Sequence, residues 1–184
     1  MKVLHTSDLH IGHRLLEQSR YEEQRRLLDY LVALVIQEEI DILIVAGDIF
    51  DTAAPSNGAL KLYYDFLYRI AASSCAAIVI IGGNHDSSST LNAPKELLRH
   101  FRVHVVGGLS QAAEELFWVR SEDNEPLALI ACVPFLRERD LRIPKPGESF
   151  AERDTALAQA TADHYARIAE TAAPLDGVPF IFTG

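Results

Sequence analysis

Three short polar clusters carry the residue types in this sequence that are equipped for chemistry. They are Ser7-Asp8-Leu9-His10, Gly47-Asp48 and Gly82-Gly83-Asn84-His85-Asp86, and each follows an apolar, β-branched run. Asp8, His10, Asp48 and Asn84 offer carboxylate, imidazole and amide donors with no thiolate among them. That set suits Mn²⁺, Mg²⁺, Fe²⁺ or Zn²⁺ better than a soft ion. Asp8 and His10 stand one residue apart and are expected to point to one side of an extended turn. Asp48 has two carboxylate oxygens with which to bridge two ions. Gly47, Gly82 and Gly83 let the backbone turn sharply and come close to them. Two ions about 3.5–4 Å apart would polarise a phosphoryl group, supply a hydroxide and steady the leaving oxygen. His85, next to a ligand, is expected to neutralise phosphate charge or protonate the leaving alkoxide, with Asp86 orienting its imidazole. Singly the clusters say little, because Asp-x-His arises by chance and Gly-Asp is ordinary turn chemistry. The metal reading rests on their conjunction.

Asp8, Asp48 and Asn84 stand 40 and 36 residues apart, so regular elements must bring them together. Val3 to Thr6, Asp41 to Ala46, Ala77 to Ile81 and Val103 to Val106 read as strands. Helical patterns separate them. Ser19 with Glu22 predicts a capping box, followed by an inward stripe of Leu27, Leu28, Leu31, Leu34 and Val35. Pro55 and Ser56 open a second helix with Leu60, Tyr63, Tyr64, Leu67 and Ile70 inward, and Pro94 opens a short third. Such an alternation predicts an α/β sheet of largely parallel strands with right-handed crossovers, whose C-terminal strand ends gather the three clusters. Further on, Leu116 to Arg120 and Pro126 to Cys132 predict an antiparallel hairpin across a turn at 121–125. Arg137 to Gly147 reads as a charged surface loop. Ser149 and Glu152 cap an Ala-rich helix that stops at Pro174, and Pro179 to Thr183 is a last strand. His5 is expected to be packed in the first strand. His13, His100, His104 and His164 are expected at the surface or satisfied, with His13 alone near the cleft.

The 184 residues fit one domain with room for a buried core. Apolar residues at 48% and charged residues at 23% exclude a disordered or fibrous chain. A formal net charge of -9 argues against coating duplex DNA by bulk charge, though not against a local basic track. Arg137, Arg139, Arg142 and Lys145 are the candidate track, and a solvated loop is the plain alternative. The longest apolar runs, Tyr30 to Ile36 and Cys75 to Ile81, are too short for a bilayer, which needs about 20 residues. The N-terminus turns polar by His5 and is not expected to be a signal peptide, and Cys75 and Cys132 lack metal-ligand spacing, so a reduced cytoplasmic setting is expected.

With Asp8-x-His10, Gly47-Asp48 and Gly83-Asn84-His85-Asp86 in place, the sequence resembles the calcineurin-like metallophosphoesterases. Longer stretches look like one branch of that family, the nuclease subunits of bacterial SbcCD complexes. They are His5-Thr-Ser-Asp-Leu-His-Ile-Gly, Val45-Ala-Gly-Asp-Ile-Phe-Asp-Thr with Pro55 and Ser56, Gly83-Asn-His-Asp-Ser, and Cys132-Val-Pro-Phe-Leu-Arg-Glu-Arg-Asp-Leu. The resemblance implies a four-layer α/β/β/α fold, two mixed β-sheets between helices. It implies two Mn²⁺ ions, with Mg²⁺ as the substitute. Asp8 and His10 would serve the first, Asp48 would bridge, Asn84 would serve the second, and His85 would be the catalytic histidine. It implies a 3′→5′ double-strand exonuclease and a single-strand and hairpin endonuclease in DNA repair, recombination and replication. The implied partners are DNA ends, the ATPase subunit SbcC and a second copy of the chain, in the cytoplasm at the nucleoid.

Two departures accompany the resemblance. Asp51 stands where archaeal and eukaryotic relatives carry a histidine, so no role transfers to it. The family pattern places three further histidine ligands, a capping domain and an SbcC-binding tail beyond Gly184. Residues 1–184 are therefore expected to be an incomplete nuclease domain, truncated at the C-terminus and inactive alone. Ile49-Phe50-Asp51-Thr52 and Asp86 count against a protein phosphatase, which has Asp-Arg-Gly after its second Gly-Asp and Glu in the third motif. A small phosphodiesterase of the same superfamily and a non-catalytic dimerisation or docking module are the alternatives.

Overall fold

Strands whose residues are apolar on both faces fold only where both faces find cover. The computed structural model, which describes residues 1–121, 123–173 and 176–184, supplies that cover with a second sheet on one side and helices on the other. The first half runs β1 (Val3–Thr6), a small antiparallel pair β2 (Arg14–Leu15) and β3 (Gln18–Ser19), α1 (Tyr21–Gln37), β4 (Ile42–Ala46) and α2 (Asn57–Ala71). It continues through β5 (Ala77–Ile81), α3 (Ser88–Asn92), α4 (Lys95–Arg99) and β6 (Val103–Val106). The main sheet has the order β1-β4-β5-β6 with every pairing parallel, and Val45 sits between Thr6 and Ile80. The second half adds β7 (Leu116–Arg120), β8 (Pro126–Cys132), α5 (Glu138–Leu141), α6 (Phe150–Thr171) and β9 (Phe180–Thr183). β7 and β8 form the expected hairpin, and β9 lies parallel to β8, so this sheet is mixed.

Alternation along each strand divides the core. Leu43, Val45, Ile78 and Ile80 face Leu28, Leu31, Val35, Leu62, Phe66 and Ile70 of α1 and α2. Ile42, Ile44, Val79 and Ile81 face Val119, Ala128, Ile130 and Cys132 of the second sheet. Ile168 of α6 covers Ala131 and Val133 on the far side. The result is the expected order of four layers, with the second sheet mixed as expected and the main sheet parallel throughout its four described strands. Each of these fully buried aliphatic side chains contributes about 1.5–3 kcal/mol relative to exposure. Cys75 and Cys132 are buried free thiols. Among the described residues no helix is long and apolar enough to cross a membrane.

Several local expectations change. The Ser19–Glu22 capping box does not form: Arg20 is the N-cap, Ser19 is held in the β2–β3 pair, and Glu22 binds Arg25 at 2.9 Å. A start one residue later moves Glu22 out of reach of a capping role. The Ser149–Glu152 box on α6 does form. The inward stripe of α1 is Gln24, Leu28, Leu31, Val32 and Val35, with Leu27 exposed and Leu34 half-buried. On α2, Leu62 and Phe66 are buried where Leu60 is half-buried and Tyr64 exposed. His5 is exposed, because β1 is the edge strand. His164 is satisfied by Glu115 at 2.8 Å, and His100 is exposed. His104 departs from expectation: its ring is stacked 4.2 Å from Phe117, and its buried Nε2 has no hydrogen-bond partner among the described residues. The helix stop at Pro174 and residue 122 of the 121–125 turn lie outside the described residues.

Candidate metal centre

The sheet's hydrogen-bond ladder carries on past the strand ends into the three clusters. Gly47 N–H donates to Ile81 O at 2.9 Å, Asp8 N–H to Gly47 O at 3.1 Å, and His10 N–H to Asp48 O at 3.0 Å. The loops after β1, β4 and β5 are thereby held side by side. Asp8, His10 and Asp48 all take left-handed backbone, with φ of 56°, 42° and 50°. The extended turn expected for Asp8 and His10 is therefore absent, and left-handed turns bring the two side chains together instead. Such conformations cost of order 1–3 kcal/mol each and persist where surrounding structure over-determines them. Gly83 is required for close approach, since a Cβ there would overlap the backbone and carboxylate of Asp48.

One donor atom each of Asp8, His10 and Asp48 lies within 4.8 Å of the other two. His10 Nε2 is 3.7 Å from Asp8 Oδ1 and 3.8 Å from Asp48 Oδ2, beyond hydrogen-bond length. Among the described residues no lysine or arginine pairs with either carboxylate, and His10 is the side chain within 4 Å of both. Three lone-pair atoms that converge without a lysine or arginine to offset them fit a hard or borderline divalent cation. Asp48 is 8% exposed, and its Oδ1 accepts from His85 N–H at 3.0 Å, which leaves Oδ2 toward His10. Asn84 is exposed and lines a 210 Å³ cleft with Asp8, Asp48 and Gly83. The residues present fit a metal.

His85 lies at the edge of this cluster, its ring 4.9 Å from that of His10 and nearly perpendicular to it. Its Nδ1 is 2.9 Å from the carbonyl oxygen of Asp51. A carbonyl only accepts, so Nδ1 carries the proton and Nε2 is the atom left for chemistry. The same bond, with the carboxylates of Asp48, Asp51 and Asp86 nearby, pushes the His85 pKa up.

Asp86 does not orient that imidazole. It is 1% exposed, and its oxygens accept from the backbone N–H groups of Ile49 (3.1 Å), Phe50 (2.9 Å) and Gly83 (2.8 Å). It joins the loop after β4 to the loop after β5 through these three bonds.

Three further residues serve the centre. Asp51 binds His13 Nδ1 through its carboxylate at 2.9 Å and lies 3.6 Å from His10 Nδ1. With His10 and His85 it makes a second group of converging donors. Its place three residues after Asp48 in Gly-Asp-Ile-Phe-Asp was the available signal. His13 lines a 580 Å³ cleft with His10, Asp51 and His85, as expected of it. Gln24 is buried on the inner face of α1, donating to His10 O at 2.9 Å and accepting from Gly12 N–H at 3.0 Å. A polar residue in register with Leu28, Leu31 and Val35 was readable as a sign of such a task. The supposed basic track is largely spent: Arg142 is paired with Glu138 and Glu148, Arg153 shares Glu138, and Arg137 turns inward.

A family model described as calcineurin-like phosphoesterase matches residues 1–153. The chain is 34% identical over 187 residues to an Escherichia coli (strain K12) protein named as the D subunit of the nuclease SbcCD, covering all of this chain and 46% of that protein. It is 37% identical over 180 residues to the protein of the same name from Rhodobacter capsulatus, covering 94% of this chain and 44% of that one. With the Bacillus subtilis protein of the same name it shares 39% identity over 107 residues, 58% of this chain and 27% of the other. The chain spans less than half the length of these curated relatives.

Proposed function

The chain belongs to the calcineurin-like phosphoesterase family, and from that premise we propose that it is the phosphodiester-cleaving domain of a metal-dependent DNA nuclease subunit. The observation that carries the reading is the convergence of donor atoms of Asp8, His10 and Asp48 with the His85 ring beside them. Asp8 and His10 would hold one ion, Asp48 would bridge, and Asn84 would help hold a second, Mn²⁺ before Mg²⁺. When bound, such ions polarise a phosphoryl oxygen and make a bound water acidic enough to attack it. His85 has Nδ1 committed to the Asp51 carbonyl, so Nε2 is presented for proton transfer to the leaving oxygen. The same bond raises its pKa, which favours the protonated form. Asp86 keeps the loops of Asp48 and His85 in register.

The substrate we propose is DNA, cut 3′→5′ from double-strand ends and endonucleolytically in single strands and hairpins, during repair and recombination. The proposed partners are the ATPase subunit of an SbcCD complex and a second copy of this chain, in the cytoplasm at the nucleoid. The relatives' names, which give both a nuclease and a two-component complex, support this reading. The experiment compares hairpin DNA with bis-p-nitrophenyl phosphate in Mn²⁺, for the intact protein as wild type and as Asp48→Ala, with calorimetric metal titration of each. Hairpin cleavage that needs Mn²⁺ and vanishes in Asp48→Ala is expected. Turnover of the small ester alone would favour a small phosphodiesterase. No turnover and no metal uptake would favour a docking module.

A further inference from the structure

The segment after β8 takes no part in the chemistry above, yet its arginine is turned toward the site. Arg137 is half-buried, and its Nη2 donates to the carbonyl oxygen of Asp86 at 2.8 Å and to that of Asn84 at 3.3 Å. These carbonyls belong to the two residues that flank His85. A parallel tie runs from Phe135 N–H to Gly82 O at 2.9 Å. Arg139 pairs with Asp140, and Arg142 and Arg153 pair with Glu138, but Arg137 forms no ion pair among the described residues. Its charge is directed instead at main-chain oxygens, as a charge-assisted donor on a rigid planar fork.

We propose that Arg137 is a positioning residue for His85: bridging the carbonyls of Asn84 and Asp86, it fixes the peptide that enters His85 and the one that leaves Asp86, and so holds the ring on the Asp51 carbonyl. The proposal rests on the role given to His85 above. The Asp86 carboxylate and the bond from His85 N–H to Asp48 hold this loop from the β4 side. Arg137 holds it from the second sheet, so the loop is clamped between the two halves of the fold.

The test uses Arg137→Ala and Arg137→Lys with two readouts. One is the ¹⁵N spectrum of the His85 ring in this chain, recorded at a pH where the ring is neutral, where wild type should show a single Nδ1-protonated form. The other is cleavage kinetics in the intact protein with Mn²⁺. In Arg137→Ala the ring signal should become a tautomer average, and kcat should fall about 10- to 100-fold while KM stays within about twofold. Arg137→Lys, with one compact donor group, should recover part of kcat and decides the matter should the alanine variant fail to fold. An unchanged His85 spectrum would overturn the proposal. So would a raised KM with kcat intact, which would make Arg137 a substrate-phosphate contact. A wild type without any cleavage would sink the nuclease reading instead, and the His85 spectrum would still decide on Arg137.

Discussion

Replacing Asp86 separates two roles that its sequence position allows, a partner to the His85 imidazole and a tie between loops. Its carboxylate is 1% exposed and accepts three backbone N–H groups, from Ile49 and Gly83 on Oδ2 and from Phe50 on Oδ1. Asp86→Ala strands all three donors, those of Ile49 and Phe50 buried and that of Gly83 part-buried, at about 1–3 kcal/mol for each buried group left unsatisfied. The total, about 5 kcal/mol, equals the whole stability of a domain at the lower end of the usual range. Asp86→Asn keeps one oxygen, which in the Oδ2 position still serves Ile49 and Gly83. Its NH₂ then confronts the Phe50 N–H, so one bond and the charge assistance are lost, about 2–3 kcal/mol. With a urea slope of about 2–3 kcal/mol per molar, the asparagine variant should unfold about 1 M earlier than wild type. Metal titration at low urea should show weakened uptake, since the loop bearing Asp48 is loosened. An Asp86→Asn protein with the wild-type unfolding midpoint and metal affinity, but cleavage lowered more than about tenfold, would refute the tie and restore the imidazole partner.

His85→Ala should abolish cleavage while calorimetry finds metal affinity little changed, because the ring lies beside Asp8, His10 and Asp48 and only its backbone N–H supports a ligand. Gln24→Ala takes away the acceptor of the Gly12 N–H and one of the two donors to the His10 carbonyl, which keeps the His13 N–H, and should weaken metal binding about 10-fold, read in the same titration. His104, stacked on Phe117, has its pKa lowered to about 4 by burial and by Arg99 and Lys95, against 6.5 in the unfolded chain. Its contribution is neutral above pH 6.5. As pH falls from 6.5 to 4 the unfolded chain takes up a proton that the folded one refuses, and stability should drop by about 3 kcal/mol. Urea titrations at pH 7 and pH 4.5 should show that drop shrinking in His104→Phe, which keeps the stack and cannot titrate.

The layers of this protein were legible because hydrophobic period reports burial directly. Asp41 to Ala46 and Ala77 to Ile81 have no polar face, so they had to lie centrally between two covers, and they do. Caps were legible where motif and helix start coincide, as at Ser56 and Ser149. Ser19 and Glu22 satisfy the same pattern, but the β2–β3 pair shifts the start by one residue, and that pair is a tertiary choice. The chemistry-bearing types, Asp8, His10, Asp48, Asn84 and His85, stood out as polar residues where apolar strands end. Their supporting contacts did not. Asp51 reaches His85 across 34 residues, Asp86 reaches Phe50 across 36, and Arg137 reaches Asp86 across 51. Each of these bonds ends on a backbone N–H or carbonyl, a group that every residue of the chain carries. Residue identity shows that a donor or acceptor exists, and periodicity shows which side of an element it occupies. Which backbone group it meets depends on how the loops of two sheets come together in space, and that was decided only by the folded structure.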